Sequence, residues 1–109
     1  MSKDTLYLTH ILECIEKIQE YTREGKDFFE HDSKTQDAVL RNLQTLSESS
    51  MRVSEELQLK YPSVAWREMH AFRNVVVHDY LGLELNQIWD IIMIDLIQLK
   101  EKVTQILSE

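Results

Sequence analysis

An arginine and a histidine stand five positions apart in the stretch RNVVVHDY, residues 73–80. Arg73 carries a permanent positive charge on a planar group whose geometry matches phosphate oxygens. His78 can accept or donate a proton near neutral pH. Attack of a ribose 2′-hydroxyl on its own phosphate needs positioning, a proton acceptor and stabilisation of negative charge, but no metal. The pair is therefore chemically suited to RNA cleavage.

On an ideal helix, the polar residues of this region fall beside an apolar stripe. The residues predicted to face the core are Ala65, Met69, Phe72 and Val76. The polar side chains share an adjacent arc about 140° wide, and they are His70, Arg73, Asn74 and His78. Arg73 and His78 are about 140° apart, at the two ends of this arc. Either the helix loosens near His78, or two copies of the motif meet across a dimer cleft, and we favour the second geometry.

The Arg–His spacing has a structural interpretation as well, because such pairs arise often by chance. Arg73 would then form a surface salt bridge, and His78 would stabilise the carboxyl end of a helix. Asn74 directly after Arg73, and Tyr80 two residues after His78, favour the catalytic interpretation. We expect Asn74 to orient the substrate or His78, and Tyr80 to close the same cleft.

Two further residues are candidates for binding or orienting a substrate. Arg41 lies in the second predicted helix, where a solvated surface position is the alternative. His70 lies on the polar arc, eight residues before His78, which is not the spacing of a helical zinc pair. The chain has no Gly-rich phosphate loop. We therefore predict neither a metal site nor a cofactor.

Composition predicts a single all-α domain over residues 1–109. The chain is 43% apolar but contains only two glycines and one proline, too few for a sheet rich in turns. Cys14, the single cysteine, excludes an internal disulfide and a Cys-based zinc site, and its place on an apolar helical face indicates a core residue.

The charge and hydropathy pattern bounds the environment and the partners. A net charge of −7 argues against a surface that coats nucleic acid non-specifically. It permits a small local basic site, and it suits a partner with a basic face. The sequence begins without the apolar run of a signal peptide and contains no stretch long enough to span a membrane. We expect a soluble, cytoplasmic protein.

Apolar periodicity predicts four principal helices in an up-and-down bundle. The first covers residues 5–23 and stops at Gly25, and a short connection then turns Phe28 and Phe29 inward. The second covers residues 33–60 and ends before Pro62. The third starts near Ser63 as N-cap and carries the motif; after a turn at Gly82, the last covers residues 86–107.

The last helix has more apolar surface than one intramolecular core can cover. Besides its main stripe it carries Trp89, Ile91 and Ile94, which cannot all face the same core. We therefore expect a homodimer.

The motif RNVVVHDY fits the R-x4-H-x-Y signature of HEPN domains, and the chain resembles HepT-type toxins paired with minimal nucleotidyltransferase antitoxins. The segments VLRNLQTLSESS, WREMHAFRNVVVHDY and IWDIIMIDLIQLKEKV carry the resemblance in order along nearly the whole chain. One departure is Ser47-Glu48-Ser49, where many relatives read Gly-Glu-Ala.

The resemblance implies an all-α, homodimeric HEPN bundle. Arg73 and His78 of both subunits would line a shared cleft and cleave RNA without a metal, as in type VII-like toxin–antitoxin pairs. The nucleotidyltransferase antitoxin would neutralise the toxin by adenylylating Tyr80. The alternative function is a non-catalytic helical module that docks a nucleotidyltransferase or a nucleotide in the same cleft.

Overall fold

The computed structural model describes the backbone of residues 3–78 and 85–109, with side chains throughout except at residues 74–78. All regular elements of these residues are helical, which confirms the predicted all-α class. The helices are α1 Lys3–Tyr21, α2 Lys26–His31, α3 Ser33–Arg52, α4 Glu55–Lys60, α5 Trp66–His78, α6 Leu85–Asp90 and α7 Leu96–Ser108, with a π-helical turn Ile91–Asp95 between the last two.

Helices α1 and α3 run antiparallel. The carboxylate of Asp4 accepts hydrogen bonds from the backbone N–H of Ser54 at 2.8 Å and from its hydroxyl at 2.6 Å. Farther along α1, Nδ1 of His10 lies 2.8 Å from Oγ of Ser49. The contact partners of α1 thus have lower residue numbers as α1 proceeds, which is the pattern of two antiparallel helices.

Helix α7 runs antiparallel to α1 and to α5. Leu8 and Ile106 line one groove near the start of α1, whereas Nζ of Lys100 donates to Oε1 of Gln19 at 3.0 Å near its end. Nζ of Lys102 donates to the carbonyl of Ser63, which precedes α5. Asp95, seven residues before Lys102, lines the same groove as Phe72, which lies farther along α5. The order is therefore up, down, up, down, as the apolar periodicity predicts.

The core lies between these four helices and contains the predicted stripes of α1, α3 and the last helix. Its fully buried side chains include Leu8, Ile11, Ile15, Ile18, Phe29, Val39, Leu43, Leu46, Met69, Ile88, Ile92 and Leu96. Burying each such side chain is worth about 1.5–3 kcal/mol. Cys14 is buried as predicted, and its burial raises the pKa of the thiol.

The prediction of one continuous helix over residues 33–60 is wrong. Helix α3 ends at Arg52, and Ser54 caps the separate helix α4 by accepting a hydrogen bond from the N–H of Leu57. The N–H and hydroxyl of Ser54 are taken by Asp4, fifty residues earlier in the chain. A tertiary contact therefore breaks a helix that local periodicity would continue.

The predicted start of the third helix at Ser63 is also wrong, because α5 begins at Trp66. The preceding residues form a turn in which the indole N–H of Trp66 donates to the carbonyl of Tyr61 at 3.0 Å. Ala65, predicted in the core, therefore precedes the helix and is exposed, whereas Trp66 at the start of the helix is buried.

The predicted connection after α1 holds the short helix α2. Phe29 is fully buried, whereas Phe28, predicted to turn inward, is 42% exposed. Neighbouring residues on a helix diverge by about 100°, so the two rings cannot both face the core. Gly25 follows the end of α1 with a φ of 101°, a conformation that favours glycine.

The last helix is interrupted by the π-helical turn, where the N–H of Leu96 donates to the carbonyl of Ile91. Trp89 packs its ring 5.5 Å from that of Phe29, and Ile91 packs partly against the core, while Ile94 stays 53% exposed. One of the three surplus apolar residues therefore remains uncovered. Gly82 lies outside the described residues. No helix among those described is both long and apolar enough to cross a membrane.

Candidate functional site

The buried face of α5 opens to solvent at Arg73. On an ideal helix, Trp66 and Phe72 lie about 60° to either side of Met69, and Arg73 lies about 40° from Met69, inside this arc. All three apolar side chains are buried, yet Arg73 is exposed. Arg73 therefore lies at the solvent-exposed edge of the core, where a ligand from solution can reach it.

Among the described residues, no carboxylate forms an ion pair with Arg73. The structural interpretation of this arginine as a surface salt-bridge former finds no partner there. An exposed guanidinium without a counter-ion presents its donor fork to an oxyanion such as phosphate.

His70 lies one turn before Asn74, on the side of α5 that faces α3. Its backbone carbonyl accepts a hydrogen bond from Oγ of Ser47 at 2.9 Å. Its ring atom Nε2 is shielded from solvent and has no hydrogen-bond partner among the described residues. Such an unsatisfied buried nitrogen costs about 1–3 kcal/mol. The ring is thus packed into the helix interface.

Ser47, in the segment where the sequence departs from Gly-Glu-Ala, connects α3 to the backbone of α5. It is fully buried, and the hydroxyl of Ser50 donates to its carbonyl at 2.6 Å. A small side chain here lets α3 approach α5, and its hydroxyl fixes α5 three residues before Arg73. We did not predict this positioning role from sequence; the signal was a serine beside an otherwise apolar stripe of α3.

Arg41 lies at about the same level as the motif along the bundle axis. Because α3 and α5 are antiparallel, distances can be counted from the Ser47–His70 contact. Arg41 is about 9 Å along α3 from Ser47, and Arg73 and His78 are about 4.5 and 12 Å along α5 from His70, in the same direction. Arg41 is exposed on the outer face of α3. It is therefore level with the motif but separate from the core.

The backbone of α5 is α-helical through His78, so the less favoured alternative, a helix that loosens near His78, is not seen up to that residue. A regular helix keeps the positions of Arg73 and His78 about 140° apart. The predicted roles of the Asn74 and His78 side chains lie outside the described side chains. Tyr80 lies outside the described residues altogether.

The opposite flank of α5 is acidic. Glu68 and Asp95 line the groove between α5 and α7, above a floor of Met69, Phe72 and Leu99. Desolvation raises the pKa of Asp95, and the charges of Glu68 and then Asp90 raise it further. Lys102 also lines this groove, and its Nζ donates to the carbonyl of Ser63. This flank therefore has two carboxylates and one cation, whereas Arg73 is exposed on the other side of α5. Within the described ranges, no cluster of His, Cys, Asp and Glu could hold a metal ion.

Comparison with known proteins places this arrangement in a family. The family model described as "Ribonuclease HepT-like" matches residues 11–106. A "Probable ribonuclease HepT" of Thermococcus cleftensis is 38% identical over 98 residues, covering 88% of each chain. No solved structure matches significantly.

A second relative is longer than this chain. The "Gamma-glutamylcyclotransferase and putative RNase" of Methanocaldococcus jannaschii is 35% identical over 111 residues, which cover all of this chain and 50% of the relative. The chain thus spans half the length of that protein. Given the family match over most of its length and the helical bundle that carries the motif, the chain belongs to the HepT-like ribonuclease family of HEPN domains.

Proposed function

We propose that the chain is a metal-independent endoribonuclease, the toxin of a HEPN/MNT toxin–antitoxin pair. The observation that carries the proposal is Arg73, exposed within the buried arc of α5 and without an ion-pair partner among the described residues. The relatives named as ribonucleases supply the substrate class.

In the proposed reaction, the 2′-hydroxyl of a ribose attacks the adjacent phosphorus. The new P–O2′ bond forms as the P–O5′ bond breaks, which gives a 2′,3′-cyclic phosphate and a free 5′-hydroxyl. His78 accepts the proton of the 2′-hydroxyl or donates one to the leaving O5′. Arg73 stabilises the charge that accumulates on the non-bridging oxygens, and Asn74 and Arg41 bind or orient the strand.

The site is completed by a second copy. Helix α5 stays regular through His78, so one chain holds Arg73 and His78 on diverging sides. A twofold axis near the motif would bring Arg73 of each subunit toward His78 of its partner. Exposed apolar side chains on the last helix support such an isologous contact, and they are Met93, Ile94 and Ile97.

Regulation acts through Tyr80 in this proposal. A nucleotidyltransferase antitoxin transfers AMP from ATP to the Tyr80 hydroxyl: the Tyr O–P bond forms as the bond from the α-phosphorus to the bridging oxygen breaks, and pyrophosphate and the phenolic proton leave. The product has a negative phosphodiester and a base two residues beyond His78. The new phosphate competes with RNA for Arg73, and the base fills the cleft. Tyr80→Phe would keep the ring, lose the acceptor oxygen and escape neutralisation.

The decisive experiment measures cleavage of single-stranded RNA by the purified protein, free of any partner, with and without EDTA. We expect cleavage that EDTA does not reduce, products ending in a 2′,3′-cyclic phosphate, and loss of activity in His78→Ala. A helical, dimeric protein that leaves RNA intact but retains tight binding of a nucleotidyltransferase would instead establish the non-catalytic docking module.

A further inference from the structure

A second surface of the molecule combines exposed aromatic rings with cations. The groove between the end of α1, α2 and the start of α3 is lined by Tyr21, Phe28, Arg23 and Lys34, and we call it the aromatic groove. Tyr21 is 39% exposed and Phe28 is 42% exposed, and they are the two exposed aromatic side chains of the described residues. That both lie in one groove is the observation on which the inference rests.

The aromatic groove lies at the same end of the bundle as the motif. In the up-and-down order, α1 ends, α3 begins and α5 ends at this same end. Lys34 and Arg41 are seven residues apart on α3, which puts them on one face within about 20° and about 10.5 Å of each other along the helix. A line of two cations thus leads from the groove to the height of the motif.

Exposed rings beside cations are the features with which proteins bind single-stranded nucleic acid. Bases stack on the rings, and the cations hold the backbone phosphates. The groove is not strongly basic, because Glu20 pairs with Arg23 at 3.1 Å and Glu24 also lines it. Stacking must therefore supply most of the affinity, and stacking requires bases that are not already paired in a duplex.

We propose that the aromatic groove binds single-stranded RNA by base stacking on Tyr21 and Phe28. The strand then follows Lys34 and Arg41 toward Arg73. This inference rests on the proposed ribonuclease function and adds to it a substrate class, unpaired RNA segments that extend several nucleotides beyond the cleaved bond.

The test measures binding of a fluorescently labelled single-stranded RNA, about twelve nucleotides long, by anisotropy. The protein carries His78→Ala to prevent cleavage during the measurement, and a duplex of the same sequence serves as the second ligand. Tyr21→Leu and Phe28→Leu keep apolar volume but remove the ring face. Leu59→Ala, a 72% exposed position in α4 at the other end of the bundle, is the matched surface control.

We expect each ring substitution to weaken single-strand binding about tenfold, with unchanged helicity and little effect of Leu59→Ala. Lys34→Gln should lower the salt dependence by about one phosphate contact, a slope change of roughly 0.7. A 2-aminopurine base within the RNA should be quenched by wild-type rings and regain fluorescence with the Leu variants.

Unchanged affinity in both ring variants would overturn the aromatic groove as an RNA site, as would equal binding of duplex and single strand. A ring variant that changed the oligomeric state in light scattering, but not RNA affinity, would assign the groove to contact between copies instead. Cleavage of a short substrate by the ring variants separates the two proposals. Cleavage with undiminished binding sinks only the groove, whereas ring-dependent binding without any cleavage by the wild type sinks only the ribonuclease.

Discussion

On its α3 side, helix α5 meets a buried serine that hydrogen-bonds to its backbone, whereas on its α7 side it borders a groove with facing carboxylates. On the first flank, Ser47 donates to the backbone carbonyl of His70, three residues before Arg73. The second flank leaves Glu68 and Asp95 near each other above an apolar floor. The same helix thus has one side that is hydrogen-bonded to α3, beside an arginine with no ion pair among the described residues, and one side lined by carboxylates. For an anionic substrate, the side with Arg73 is the better suited, because the α7 groove has two carboxylates beside its one cation, Lys102.

The strongest test of this difference compares two arginines of the same helix. Arg73→Ala should reduce RNA cleavage by about 10²–10³-fold, because a charge that stabilises the transition state is lost. Arg67→Ala removes another exposed guanidinium, six residues earlier, and should leave the rate within a fewfold. The measurement is the single-turnover cleavage rate, with circular dichroism to verify folding. Equal losses in the two variants would mean that general charge, and not the motif position, accounts for activity.

The packing of the two flanks is tested by adding the same volume to each. Ser47→Leu overpacks the buried α3–α5 contact and should lower the free energy of unfolding by about 1–3 kcal/mol. Ala65→Leu adds to the open α7 groove and should change it by less than about 0.5 kcal/mol. Urea denaturation measures both. A larger loss in Ala65→Leu would show that the α7 flank is the tighter one.

A substitution at His70 tests whether its buried ring nitrogen destabilises the α3 flank of α5. His70→Phe removes a buried nitrogen that has no hydrogen-bond partner in the described part of the chain, and it keeps an aromatic ring, so we expect the free energy of unfolding to rise by about 1 kcal/mol. The cleavage kinetics of this variant show whether the His70 side chain orients substrate or only packs. A raised KM with unchanged kcat would keep His70 as a residue that orients substrate, whereas unchanged kinetics would make it a packing residue.

The smallest effect concerns the acidic flank and depends on pH. The folded-state pKa of Asp95 is raised above its usual value of 3.8, mainly by desolvation and then by Glu68. The folded protein therefore binds this proton more tightly than the unfolded chain, and stability falls as pH rises through the raised pKa. Asp95→Asn should increase the melting temperature slightly at pH 7 and lose this advantage below about pH 3.8. A variant less stable than wild type at pH 7 would contradict a repulsive environment.

Local periodicity was sufficient where a single stripe decided the structure. The apolar repeats of α1, α3 and the last helix predicted that these segments are helical and which side of each is buried, because burial at a period of 3.6 residues is a property of the segment itself. The motif helix was also predictable, since Met69 and Phe72 define its inner side. The placement of Arg73 as a polar residue next to this stripe followed from the same count.

Helical periodicity was not sufficient to predict helix boundaries that depend on contacts outside the regular helices. The break between α3 and α4 depends on Asp4 reaching Ser54, and the shifted start of α5 depends on Trp66 bonding back to Tyr61. The first contact joins residues fifty positions apart and has no local signal, whereas the second joins residues five positions apart in a turn that helical periodicity does not describe. The exposure of Phe28 was predictable in principle from the 100° step between neighbours, provided that a helix is recognised in that short connection.

The sequence by itself determined the helical class, the core stripes and an Arg–His motif chemically suited to phosphate, because residue types and helical spacing are encoded locally. Only the tertiary structure decided that the buried arc of α5 opens at Arg73, that Ser47 anchors the helix beside it, and that Tyr21 and Phe28 share one groove. The physical reason is that solvent exposure, and the distance between two side chains, depend on how two helices pack against each other. They arise when antiparallel helices pack, and no single segment specifies them.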